Sequence, residues 1–265
     1  LQQQPPELEE EESMSEIRVA AVGDLHCTRK SQGAFQQLFR KMSREADVLV
    51  MCGDLTDYGL PEEAQILASE LGHGLTIPAV AVLGNHDHES DHINEMRSIL
   101  LAAGVTVLDG DSCEIEGVGF AGVKGFCGGF GDHAVAAWGE HTLKVFVQEA
   151  AHEALKLEEA LTRLSCPTRL AVLHYAPIEA TVTGEPREIY PFLGSRRLEE
   201  AIDRAGAVAA AFHGHCHSGD LEGKTAGGVP VYNVAMPLLR KKMPGQPPFR
   251  MITLPRGEDR RQTTA

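Results

Sequence analysis

Five short clusters hold the side chains of this chain best suited to chemistry. They are Gly23-Asp24-Leu25-His26, Gly53-Asp54-Leu55-Thr56-Asp57, Gly84-Asn85-His86-Asp87, His174 and Gly214-His215-Cys216-His217. Carboxylate, amide and imidazole groups are the oxygen and nitrogen donors that borderline divalent metals accept. Asp24 and His26 stand two residues apart, so both can turn into one site where a strand opens into a loop. A glycine heading a cluster lets the backbone turn sharply and leaves room beside an ion. Two carboxylates, four histidines and an asparagine exceed what one ion needs. Such a set suits two metals that share a bridging carboxylate.

These clusters span almost two hundred residues, so the fold must gather them. IRVAAV (17–22), DVLVMC (47–52), PAVAVL (78–83) and VTVL (105–108) are short apolar runs that read as buried strands. Between them, Phe35, Leu38, Phe39 and Met42 fall on one face of a helix over 32–45. Pro61, at a favoured first-turn position, opens a second helix to about Leu71, and a third covers 91–103. Past 110 a hairpin is expected over 113–125, then a long helix over 142–164 and another over 195–205. Strands are expected at 169–174, 207–214, 229–236 and 249–254. Strand alternating with helix argues for a mostly parallel sheet covered by helices. Each cluster stands where a predicted strand ends, the place where open α/β sheets gather their ligands.

No repeat and no linker divides the chain, so one domain over residues 17–255 is expected, built on two sheets. Residues 1–16 are Gln-, Pro- and Glu-rich with little apolar content and read as a disordered acidic tail. Residues 256–265 read as a second loose end.

The order D-x-H, G-D-x-x-D, G-N-H-D, H, G-H-x-H resembles the calcineurin-like metallophosphoesterase superfamily. No piece is specific alone; five in order, at strand ends, are. The resemblance implies an α/β fold, a four-layer α-β-β-α sandwich of two mixed sheets flanked by helices. It implies that Asp24, His26 and His217 bind one metal, that Asn85, His174 and His215 bind a second, and that Asp54 bridges both. His86 is then no ligand but faces the substrate, with Asp87 orienting it, while Asp57 holds a ligand histidine from behind. The cofactors implied are two ions of manganese, iron or zinc. The reaction implied is attack of a metal-activated hydroxide on phosphorus, with His86 offsetting charge on the departing oxygen. A small phosphodiester, a cyclic nucleotide among the possibilities, is the first expectation for substrate. A phosphomonoester is the near rival; a DNA nuclease and a non-catalytic scaffold on the same fold are more distant ones.

Composition narrows the field from the other side. The 265 residues carry 24 basic and 38 acidic side chains, a net charge of −14. A chain so acidic is a poor general binder of nucleic acid or of an anionic membrane. No apolar run approaches the roughly 18–20 residues of a membrane span. The six cysteines are scattered with no CxxC pair, which fits reduced thiols in the cytoplasm. Cys27 and Cys216, beside the clusters, are expected to be spectators, and His213 a satisfied core histidine. His88 and His92 are expected to be loop and helix-start residues. GFCGGFG (125–131) lacks the Lys-Ser or Lys-Thr of a nucleotide loop and reads either as a surface loop or as a lid over the substrate.

Overall fold

The structure is a computed structural model, which describes residues 16–256. Eleven strands fall in two sheets among these residues. The first sheet holds β1 (Glu16–Val22), β2 (Val48–Cys52), β3 (Ala79–Val82), β4 (Val105–Val107) and β11 (Arg250–Pro255), in the order β11-β1-β2-β3-β4. The second holds β5 (Asp111–Ile115), β6 (Val118–Val123), β7 (Thr168–Leu173), β8 (Val208–His213), β9 (Glu222–Lys224) and β10 (Pro230–Asn233), in the order β5-β6-β7-β8-β10-β9. The interior neighbours run parallel, and β11, β5 and β9 close the edges antiparallel. Strands covered on both faces need apolar residues at every position, and β2, β3 and β6 are buried throughout.

Three apolar layers explain the sandwich. Val19, Val50 and Val82 of the first sheet meet Phe120, Val172 and Phe212 of the second between the sheets. Helices α1 (Gln36–Glu45), α2 (Pro61–Gly74), α3 (Ile93–Ala102) and α7 (Met236–Lys242) supply the outer cover of the first sheet through Phe39, Met42, Leu67, Leu100 and Met236. Helices α4 (His141–Arg163) and α6 (Arg196–Ala205) cover the second through Leu157, Leu161, Leu198 and Ile202. A short helix, α5 (Tyr190–Leu193), precedes α6. This is the expected four-layer α-β-β-α arrangement.

Several boundaries differ from the sequence reading, each for a local reason. The first helix begins at Gln36 rather than 32, because the buried Glu70 carboxylate captures the Gly33 and Phe35 amides in a turn. The strand expected over 229–236 stops at Asn233, whose side chain accepts from the Ala235 amide and starts the turn into α7. The three-residue edge strand β9 is polar and short, and no periodicity marked it. The acidic tail expected over 1–16 lies outside the described residues except for Glu16, which opens β1 opposite Pro255. Residues 257–265 lie outside them too, whereas Arg256 is tied to the Glu16 carbonyl and the Glu116 carboxylate.

Candidate metal centre

In both sheets the parallel strands finish at one end of the sandwich, and the five clusters sit there. Loop bonds lock neighbouring clusters together: the Asp24 amide donates to the Gly53 carbonyl at 2.9 Å and the His26 amide to the Asp54 carbonyl at 3.0 Å. Within the second sheet, the Gly214 amide after β8 donates to the His174 carbonyl after β7 at 3.1 Å. Asp24, His26, Asp54 and His215 have φ between 45° and 68°. Left-handed backbone at a non-glycine residue costs of order 1–3 kcal/mol and persists where surrounding structure imposes it, often at functional sites. Gly53 also has φ of 77°, and a Cβ there would stand 2.5 Å from His174 Nδ1. Only glycine lets that histidine close onto the loop.

The seven expected ligands converge. Asp24, His26 and His217 bring donor atoms within 4.8 Å of one another, as do Asp54, His174 and His215. Asn85 joins the second set, its Oδ1 2.9 Å from His174 Nε2. Asp54 lies between the sets, with Oδ1 3.4 Å from His174 Nε2 and Oδ2 4.0 Å from His26 Nε2.

Proton placement says what this cage is for. His174 Nδ1 lies 3.0 Å from the Cys52 carbonyl oxygen, which can only accept, so that nitrogen carries the proton. Nε2 is left with a lone pair, yet it faces two oxygens, Asn85 Oδ1 and Asp54 Oδ1. His26 repeats the pattern: Nδ1 donates to Asp57 Oδ1 at 3.1 Å, and Nε2 is buried with no hydrogen-bond partner. In His215, Nε2 donates to the Phe192 carbonyl at 3.2 Å, which leaves the lone pair on Nδ1. Buried acceptors pointing at acceptors are costly unless a cation stands between them. The donor set therefore fits metal ions bound by nitrogen and oxygen. Among the described residues no lysine or arginine pairs with Asp24 or Asp54, so protein cations do not fill that need.

Charge at the centre follows. Burial opposes ionisation of Asp24, but its hydrogen bond from His217 and the nearby His174 and His215 outweigh it, and the carboxyl is held below its usual range. The same bond, 2.9 Å long, raises His217. Burial, reinforced by His174, pushes His215 down to about 3, so its ring is neutral near pH 7.

His86 stands half exposed, its ring edge-on to His26 at 4.7 Å between centroids. Burial lowers its basicity, but the Asp57 carbonyl and the charges of Asp54, Glu89 and Asp57 more than restore it, for a net rise. Its orientation corrects one expectation. His86 Nδ1 donates to the Asp57 backbone carbonyl at 2.7 Å, not to Asp87. The buried Asp87 carboxylate instead accepts from the amides of Leu55, Thr56 and Gly84 and from the Thr56 hydroxyl, at 2.7–3.1 Å. It staples one cluster to the next. Asp57 does hold His26, as expected.

The bystanders are where the sequence suggested. His213 is buried between the Gly214 carbonyl and the Thr181 hydroxyl. Cys27 and Cys216 are buried and belong to neither ligand group; burial raises both thiols, Cys27 to about 12. His88 and His92 lie in the turn after the third cluster. Sequence reasoning missed the carbonyls of Cys52 and Phe192, and also Asn233, whose amide group donates to the Cys216 carbonyl at 2.8 Å and steadies the last cluster. Backbone acceptors carry no side-chain signal, and Asn233 stands in an otherwise ordinary strand.

Two sheets flanked by helices, with a carboxylate and imidazole cage at their shared strand ends, define the class of binuclear metallohydrolase sandwiches. Residues 17–219 match the family model of the calcineurin-like phosphoesterases. The chain belongs to that family, and it is a metal-dependent phosphoric ester hydrolase. Among solved structures it resembles the phosphopantetheinyl hydrolase PptH of Mycobacterium tuberculosis, with a TM-score of 0.62 and 13% identity over 90% of this chain and 96% of that one. The protein TT1561 of Thermus thermophilus is similar at a TM-score of 0.54 and 14% identity, covering 91% and 99%. GAP50, described as the anchor in the inner membrane complex of Plasmodium, reaches 0.50 at 12% identity, covering 84% and 72%. Likeness at this level shows the fold and leaves function to the site. A search of curated proteins found no significant match. Among the described residues no helix is long and apolar enough to cross a membrane.

Proposed function

We propose that this chain hydrolyses a small phosphodiester at the cage formed by the five clusters. Asp24, His26 and His217 would hold one ion, Asn85, His174 and His215 a second, and Asp54 both. When bound, the ions supply Lewis-acid polarisation of the phosphoryl oxygens and a water acidified enough to attack near neutral pH. Manganese, iron and zinc all suit such a nitrogen and oxygen set.

The chain's own groups do the rest. Asp57 and the Cys52 and Phe192 carbonyls fix which nitrogen of His26, His174 and His215 stays bare. His86, with Nδ1 spent on Asp57, has Nε2 to offer, and its raised basicity favours a proton there for the leaving oxygen. The observation that carries the reading is the unpartnered, buried His26 Nε2 beside Asp54. A diester is placed ahead of a monoester on the D-x-H opening of the motif series, Asp24-Leu25-His26. The free cysteines fit a reducing cytoplasm, and the substrate would be small and phosphorylated rather than a nucleic acid.

The test compares bis(p-nitrophenyl) phosphate with p-nitrophenyl phosphate on protein stripped with chelator and reloaded with Mn²⁺. Preference for the diester in kcat/KM, lost on stripping, is expected. Preference for the monoester makes the chain a phosphomonoesterase. Inertness after loading with manganese, iron and zinc points to a scaffold. A phosphopantetheinyl ester belongs in the substrate panel, since a structural neighbour is named for that group.

A further inference from the structure

The glycine-rich stretch 125–131 is neither a surface loop nor a free lid. Gly125 and residues 127–129 are buried. The stretch lies alongside the segment 190–196: the Gly128 amide donates to the Pro191 carbonyl and the Gly129 amide to the Gly194 carbonyl, both at 2.8 Å. The Arg196 amide returns a bond to the Gly129 carbonyl at 3.0 Å, and the Arg196 guanidinium reaches the Gly131 carbonyl at 3.1 Å. On its far side, the 190–196 segment is fixed to the chain just after His174. The Ala176 amide donates to the Leu193 carbonyl, and the Ser195 amide to the Ala176 carbonyl. The start of the stretch is fixed as well, since the Lys124 carbonyl accepts the amides of both His174 and Tyr175.

Phe192 sits in the middle of this ribbon. Its carbonyl accepts from two side chains, the Cys127 thiol at 3.4 Å and His215 Nε2 at 3.2 Å. The histidine contact puts the proton on Nε2 and the lone pair on Nδ1.

We propose that residues 127–129 are a positioning clamp: by holding the 190–195 segment in place they aim the Phe192 carbonyl at His215 and fix the ring in the form that offers Nδ1 to a metal. The proposal rests on the metal-centre reading above and extends it to residues that touch neither substrate nor ion. Gly128 is the sensitive point. Its φ is 154°, a conformation that L side chains rarely adopt, and a Cβ there would stand 3.0 Å from Ser195 Oγ, so a side chain strains the ribbon where it meets the 190–196 segment. Partners that set the direction and tautomer of a ligating histidine are commonly worth about 10–100-fold in metal affinity.

Two readouts test it on the full-length chain. The first needs no metal: long-range ¹H–¹⁵N spectra of histidine-labelled, metal-free protein report which nitrogen of His215 is protonated. Wild type is expected to show Nε2–H alone, and Gly128→Ala a mixture of the two neutral forms. The second is calorimetric titration with Co²⁺. Gly128→Ala is expected to weaken one of two binding steps about tenfold and to leave the other within about twofold. Cys127→Ala removes only the thiol donor and is expected to shift the same step in the same direction by a few-fold, with Cys127→Ser restoring it. Should Gly128→Ala fail to fold by circular dichroism, Cys127→Ala decides. Folded variants with an unchanged His215 tautomer and unchanged titrations overturn the clamp. Wild type that binds no Co²⁺ sinks the metal-centre reading instead, and the spectra still report on the His215 contact.

Discussion

The two halves of the centre are oriented by different means. In the half built mainly by the first sheet, which His217 joins from the second, His26 is held by a carboxylate, Asp57, three residues beyond Asp54 in one cluster. In the half that draws on the second sheet, His174 and His215 are held by backbone carbonyls, of Cys52 and Phe192. The first arrangement is written in side chains; the second exists only once the chain has folded. The orientation of His26 is therefore set within short neighbouring loops, while that of His215 depends on a ribbon assembled from residues 125–131 and 190–196.

The largest blow to both halves comes from the group they share. Asp54→Asn keeps the shape and the bond that Oδ1 accepts from the His86 amide, but removes the charge between the sets. Activity with Mn²⁺ is expected to fall about 10³-fold, the scale of losing a principal electrostatic group. Bound metal, measured by elemental analysis after gel filtration, should fall below two ions per chain. Full metal content at near-normal rate would mean that the halves work independently. Next comes His86→Asn, expected to cost about 10²-fold in kcat, at the lower end for a general acid, with metal content intact. A matching loss of metal would make His86 a ligand and redraw the first half.

Asp57→Asn separates the halves more finely. The amide can still accept from His26 through Oδ1 but without charge, so metal affinity on that side is expected to weaken about tenfold. Calorimetry should show one binding step moved and the other kept, the mirror image of the clamp variants. If Asp57→Asn and Gly128→Ala weaken the same step, the division into two separately oriented halves is wrong.

How much could be read from residues follows the same division. The meeting of the seven candidate ligands and His86, and the contact of Asp57 with His26, could be anticipated because each is a side chain in a cluster at a strand end. Sheet strands were legible because burial on both faces leaves continuous apolar runs, as in β2 and β3. The turn before α1 was hidden because Glu70, thirty-five residues further on, takes the Phe35 amide. The use of GFCGGFG was hidden because its partners are main-chain atoms of a distant segment, and glycines record only that something comes close. Asp87 was misread for a related reason. Adjacent to His86 in sequence, it suggests a catalytic pair, but its carboxylate had more donors within reach on the neighbouring loop.

That correction yields the smallest expected change in activity. Asp87→Asn replaces a carboxylate that accepts four hydrogen bonds with an amide whose NH₂ faces those donors. Leaving buried donors unmatched costs roughly 1–3 kcal/mol, so thermal stability should drop by several degrees for a domain of this size. Activity should fall only a few-fold, through loosening of the joint between the second and third clusters. A double-mutant cycle decides the role. If Asp87 acted through His86, its loss would cost nothing once His86 was already asparagine. A structural staple costs the same few-fold in both backgrounds, because what it holds is the loop under Asp54 and Asn85, and those groups are needed whether or not the histidine is there.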